Sequence, residues 1–154
     1  MKRRMFMRTG VAAIAGAAVV ARGQSTGLAP AQDITPIIRE VTGGKTAEKK
    51  DIDIEIPQLA ENGNSVPLHV RVKSPMTAAD HVVAIHVIAE RNPRPRVATF
   101  HLGPQSGRAE ITTRIRLAGT QNLTVLAALS GDRFLIADAP VLVTSAACLD
   151  ETAG

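Results

Sequence analysis

One side chain in this 154-residue chain could hold a group covalently: Cys148, the single cysteine. A thiolate is the reactive form, and an unassisted thiol with a pKa of about 8.5 is only a few per cent ionised at neutral pH. No basic helper stands beside it in sequence. Asp150 and Glu151 oppose ionisation, because a second negative charge next to them is disfavoured. Such a thiol suits loading by an enzyme better than unaided attack. It sits in a run of small residues, Thr144 to Gly154, of the kind that is mobile unless docked. The competing reading of Cys148 is a buried small apolar side chain that finishes the last strand.

The remaining candidates are weaker. His69, His81, His86 and His101 match no metal-ligand spacing. His69 alternates with Arg71 and Lys73 and is expected to be solvated, whereas His86 lies in an apolar run and is expected to be hydrogen-bonded in a core or interface. Arg91, Arg94 and Arg96, interleaved with Pro93 and Pro95, form a basic cluster suited to an acidic partner or an anion, or a solvated loop. Paired hydrolase acids, a Ser-His-Asp pattern, a glycine-rich phosphate loop and Cys-x-x-Cys are all missing. The chain is therefore expected to be no enzyme and to hold no cofactor and no metal.

The basic residues at the start set the expected compartment. Arg3-Arg4-Met5-Phe6-Met7-Arg8 resembles a twin-arginine export signal, and the Ala/Gly/Val-rich stretch Gly10 to Ala21 is too short to span a bilayer. Cleavage after Ala31 is favoured, with Ala21-Arg22-Gly23 as the other small-residue site. Residues 1–31 hold five of the 18 Lys+Arg and none of the 14 Asp+Glu, so the rest of the chain carries a formal charge of −1. The high isoelectric point belongs to the signal and lends no support to nucleic-acid or membrane binding. A lone cysteine in an exported chain cannot form an internal disulfide, which leaves a free thiol, a modified thiol or an intermolecular bridge.

Elements that could position Cys148 follow from periodicity. Ile34, Ile37, Ile38 and Val41 have helical spacing, with Thr35-Pro36 at the start and Gly43-Gly44 as the stop. From Asp51 the period becomes two: Asp51 to Ile56 and Val66 to Lys73 alternate apolar and polar residues, and with Asn62-Gly63 between them they read as a hairpin. Further strands are expected at Val82 to Ala89, Val97 to Leu102, Ile111 to Leu117, Leu123 to Leu129, Phe134 to Ala137 and Val141 to Thr144. Val82 to Ala89 is apolar on both faces, so it should be central and covered on its second side, for which a partner subunit is one means. With no Trp or Tyr and three Phe, the core must be Val, Ile, Leu and Ala. The expected fold is all-β, an immunoglobulin-like antiparallel β-sandwich with a short N-terminal helix. It divides into a signal peptide (1–31), the domain (32–144) and a flexible arm (145–154).

The order of several short runs is familiar: Ile54-Glu55-Ile56-Pro57, Ala60-Glu61-Asn62-Gly63-Asn64-Ser65-Val66-Pro67, Ser74-Pro75-Met76, Asn92-Pro93-Arg94-Pro95, Val97-Ala98-Thr99-Phe100-His101, Ser106-Gly107-Arg108-Ala109 and Thr113-Arg114-Ile115-Arg116-Leu117-Ala118. From about Ile34 to Cys148 the chain resembles the SoxY subunit of the SoxYZ sulfur carrier of thiosulfate oxidation. The resemblance implies a periplasmic subunit paired with a SoxZ-like chain, with Cys148 as the covalent attachment point for sulfur intermediates. Cytochrome, hydrolase and dehydrogenase components of the pathway would act on them. The family arm reads Gly-Gly-Cys-Gly-Gly, whereas Cys148 is flanked by Ala146-Ala147 and Leu149-Asp150. That departure motivates a second expectation: a SoxY-like interaction subunit, for example beside a quinoprotein dehydrogenase, without sulfur turnover.

Overall fold

A computed structural model describes residues 29–147. The chain enters as an extended segment and forms helix α1 (Thr35–Thr42). Pro36 stands in the first turn, and Gly43, at φ 61°, closes the helix in the left-handed conformation that glycine tolerates. Thr35 is not the cap. The N-cap is Ile34, which offers no capping side chain, and the Asp33 carboxylate before it accepts the Thr35 N–H at 2.9 Å.

Eight strands follow among the described residues: β1 (Ile52–Glu55), β2 (Leu59–Ala60), β3 (Val66–Val72), β4 (Val82–Ala89), β5 (Arg96–His101), β6 (Glu110–Ile115), β7 (Gln121–Leu129) and β8 (Arg133–Val143). They form a three-stranded sheet, β1-β3-β6, and a five-stranded sheet, β2-β8-β7-β4-β5. Every pairing is antiparallel except β2 with β8. Val66, Leu68, Val70 and Val72 face one way from β3 and pack on the inner residues of β4, β7 and β8, so the core is aliphatic as the composition requires.

Three differences from the sequence expectation have physical causes. The runs around Ile52–Glu55 and Val66–Val72 do pair, Ile52 with Val72 and Glu55 with His69, but residues 56–65 leave for the other sheet, where β2 lies parallel to β8. Phe134 to Ala137 and Val141 to Thr144 are one strand that runs through Pro140. Its partner Asn122 turns its own N–H to the Glu90 carboxylate at 3.2 Å, away from β8. Pro140 thus occupies a non-hydrogen-bonded pair, and the donor it lacks would have pointed toward the edge. In β4 a bulge between Val82 and Ala84 resets the alternation, so Val82, Ile85, Val87 and Ala89 all face the core.

Apart from Val83, which is exposed, the second apolar face of β4 is covered by the chain itself. Ala84, Ile88 and Leu126 are buried outside the inter-sheet core, and α1 lies over β7 with Thr42 buried beneath it. The segment crossing this face is tied at both ends: the Gln32 N–H donates to the Glu90 carbonyl at 2.8 Å, and the Glu48 N–H to the Phe134 carbonyl at 2.9 Å. Ion pairs Arg96–Glu40, Lys45–Asp132 and Lys49–Asp138 line its margins. None of the described helices is long and apolar enough to cross a membrane.

Candidate functional site at the base of the C-terminal arm

Cys148 lies outside the described residues, which end one position before it. What is defined is the platform from which the chain reaches it. Past the end of β8, the Thr144 N–H donates to the Ala60 carbonyl at 3.1 Å and its hydroxyl to the Glu61 carbonyl at 3.1 Å. Next, the Gly63 N–H donates to the Ser145 carbonyl at 2.7 Å, and the Ala147 N–H to the Leu117 carbonyl at 3.0 Å. The Leu117 N–H in turn donates to the Gly63 carbonyl at 2.8 Å, so the turn after β2 and the segment after β6 grip the arm from two sides. Ala147 is buried. The described chain ends at this grip, one residue before Cys148 in sequence.

Leu117 is itself held by a buried amide network. The Asn92 side-chain nitrogen donates to the Arg116 carbonyl at 2.9 Å, and its oxygen accepts the Ala118 N–H at 2.9 Å and the Gln121 side-chain nitrogen at 3.1 Å. Gln121 Oε1 accepts the Arg91 N–H at 2.8 Å. Asn92 and Gln121 are both buried, so every one of these bonds replaces solvent that neither amide can reach. Sequence reasoning did not find this network. The available signal was an amide at the end of one apolar strand and another at the head of the next.

The other candidates separate. His69 keeps partial exposure but is paired on both ring nitrogens: its Nε2 lies 2.7 Å from Glu110 and its Nδ1 3.2 Å from Glu55, while Arg71 pairs with Glu110 at 3.3 Å. The hydrogen bond to Glu55, then that to Glu110, raises the His69 pKa, and those from Arg71 and His69 lower that of Glu110. His86 is hydrogen-bonded as expected, Nδ1 to the Thr99 hydroxyl at 3.1 Å, and burial, then Arg96 and His101, lowers its pKa. The basic cluster is divided, with Arg91 donating to the Ala29 carbonyl at 3.2 Å and Arg96 pairing with Glu40 on α1 at 3.1 Å. Among the described residues no group of three or more His, Cys, Asp or Glu side chains is placed to hold a metal ion. Leu59 and Leu142, opposite each other across the β2–β8 pair, are both exposed and form a small apolar patch at the root of the arm.

Comparison with known proteins bears on this arrangement. The family model "Sulfur oxidation protein SoxY" matches residues 38–148 and so includes the cysteine itself. The chain belongs to the SoxY family. The structure of the sulfur carrier protein SoxY from Chlorobium limicola f thiosulfatophilum is similar at a TM-score of 0.58 and 31% identity, covering 71% of this chain and 94% of that one. Superoxide reductases share the fold alone. The superoxide reductase (neelaredoxin) from Ignicoccus hospitalis matches at TM-score 0.55 and 18% identity, covering 68% of this chain and 91% of that one. The superoxide reductase from Nanoarchaeum equitans matches at TM-score 0.53 and 12% identity, covering 62% of this chain and 100% of that one. No curated protein matches the chain. For this SoxY-family chain, the all-β two-sheet architecture and the sulfur-carrier role of the family agree.

Proposed function

We propose that this SoxY-family chain is an exported carrier that holds thiosulfate-derived sulfur intermediates covalently on Cys148, in a heterodimer with a SoxZ-like subunit. The observation that carries the reading is the family match, which extends to Cys148, together with an arm whose base is gripped as far as Ala147. Joining the Cys148 thiolate to the outer sulfur of thiosulfate makes one S–S bond and releases two electrons, which a partner oxidoreductase must accept. Later steps act on the exposed end of the adduct, so the carrier supplies attachment and presentation while partner enzymes supply the chemistry. Export by the twin-arginine route to the periplasm fits Arg3-Arg4 and the stretch after it. A partner chain that lacks a signal of its own could travel with it already folded.

Intact mass of the chain isolated from the periplasm without reductant, before and after reduction, tests this. The expected result is added sulfur or sulfonate that maps to Cys148 and is released by reductant. Unmodified Cys148 from cells actively oxidising thiosulfate would overturn it. The Ala and Leu that replace the family's glycines around Cys148 favour the second reading, an interaction subunit without sulfur turnover. Equal recovery of its partner machinery by the wild type and Cys148→Ala, with no adduct on the wild type, is the outcome that reading expects.

A further inference from the structure

We propose that Gly63 is a positioning residue for the arm: its missing side chain lets the body grip Ser145 to Ala147 through two backbone hydrogen bonds that open and close as a latch. The inference rests on the carrier reading for its use but not for its test. Gly63 has no positive φ, unlike Gly43, Gly44, Gly107, Gly119 and Gly131, so backbone conformation does not demand glycine there. Space does. A Cβ at Gly63 would lie 2.4 Å from the Leu117 carbonyl oxygen, 2.9 Å from the Ala147 nitrogen and 3.0 Å from the Ser145 carbonyl oxygen. All three are backbone atoms and none can rotate aside. These are also the atoms of the two bonds that dock the arm, Gly63 N–H to Ser145 and Ala147 N–H to Leu117.

With those bonds closed, the pivot of the arm lies at Ala147. With them broken, the pivot retreats to Thr144, and three more residues add about 10 Å of reach, enough to enter a recessed site. Two backbone hydrogen bonds at the edge of a domain form the kind of unit that opens locally without global unfolding. Where a glycine-flanked arm gains freedom from its own backbone, this chain, with Ala146-Ala147 before the cysteine, would gain it from undocking.

The test uses the full chain with Cys148 reduced. It measures amide hydrogen exchange at Ala147 and the labelling rate of Cys148 by a polyethylene-glycol maleimide relative to N-ethylmaleimide. Gly63→Ala is expected to speed exchange at Ala147 by about tenfold or more with core amides such as Val125 unchanged, and to raise the relative rate of the bulky label. Thr144→Val, which removes only the hydroxyl bond to Glu61, is expected to move both readouts the same way by less, and decides the matter if Gly63→Ala does not fold. Exchange at Ala147 in the wild type at the rate of an unstructured peptide would overturn the proposal. So would a folded Gly63→Ala chain, or failing that Thr144→Val, with both readouts unchanged. Neither readout involves sulfur, so a failed carrier and a failed latch are told apart.

Discussion

His69 is the residue where three strands meet electrostatically. Glu55 reaches it from β1 and Glu110 from β6, while Arg71 on its own strand shares Glu110. Protonated, His69 links both edges of the small sheet to its centre. Its pKa is raised in the folded chain, so its contribution is complete below the unfolded value and is lost as pH climbs through the folded one. Glu110, whose pKa is lowered, contributes above its unfolded value and loses that contribution as pH falls through its folded one. The cluster therefore stabilises most between the ordinary pKa of Glu, about 4.3, and that of His, about 6.5. We expect His69→Gln to lower the urea midpoint most near the middle of that window and least above pH 8. A difference from wild type that stays constant across pH would show that the imidazole is only a packing group. Alternation made His69 visible as a face residue, but its acid partners stand 14 and 41 positions away, a separation that only strand register brings to hydrogen-bond length.

At the scale of elements, the segment after β6 holds its shape because Asn92 reaches into it from the turn after β4. Asn92→Ala would strand the Ala118 N–H, the Arg116 carbonyl and one donor of Gln121 without partners in a buried setting. The expected loss is about 3 kcal/mol in urea unfolding, at the rate of roughly 1–3 kcal/mol for each orphaned group less whatever water recovers. Periodicity exposed nearly every element of this fold: Val66 to Lys73 alternates cleanly, and Val82 to Ala89 is apolar but for His86, as suits an interior strand. It failed where pairing is non-local. The two residues of β2 are too few to carry a period, and Pro140 reads as a strand stop unless the partner's hydrogen bonds are known. Asn62-Gly63 carried a hairpin signal, yet its glycine is needed for the close approach of three backbone atoms. Cys148 stood out because it is alone. The grip that ends one residue before it left no trace in composition.

For the molecule as a whole, part of the outer face of the large sheet is covered by the chain's own first described segment, with α1 over β7. A chain beginning at Lys45 would bare Ile88 and Leu126, each worth about 1.5–3 kcal/mol when fully buried. We expect it to unfold at lower urea and to self-associate in sedimentation velocity. A monomer of unchanged midpoint would show that α1 contributes nothing to that face. The segment's ion pairs are exposed and add little by comparison. The run of β8 through Pro140 has a mechanical side. Because it is one strand and not two, a tug on the arm along the strand axis meets all nine registered positions of the β7–β8 ladder at once, in shear, instead of peeling them apart singly. Under the carrier proposal, an enzyme acting at Cys148 would pull against the longest strand pairing among the described residues, the β7–β8 ladder, and the tether would give way before its anchorage.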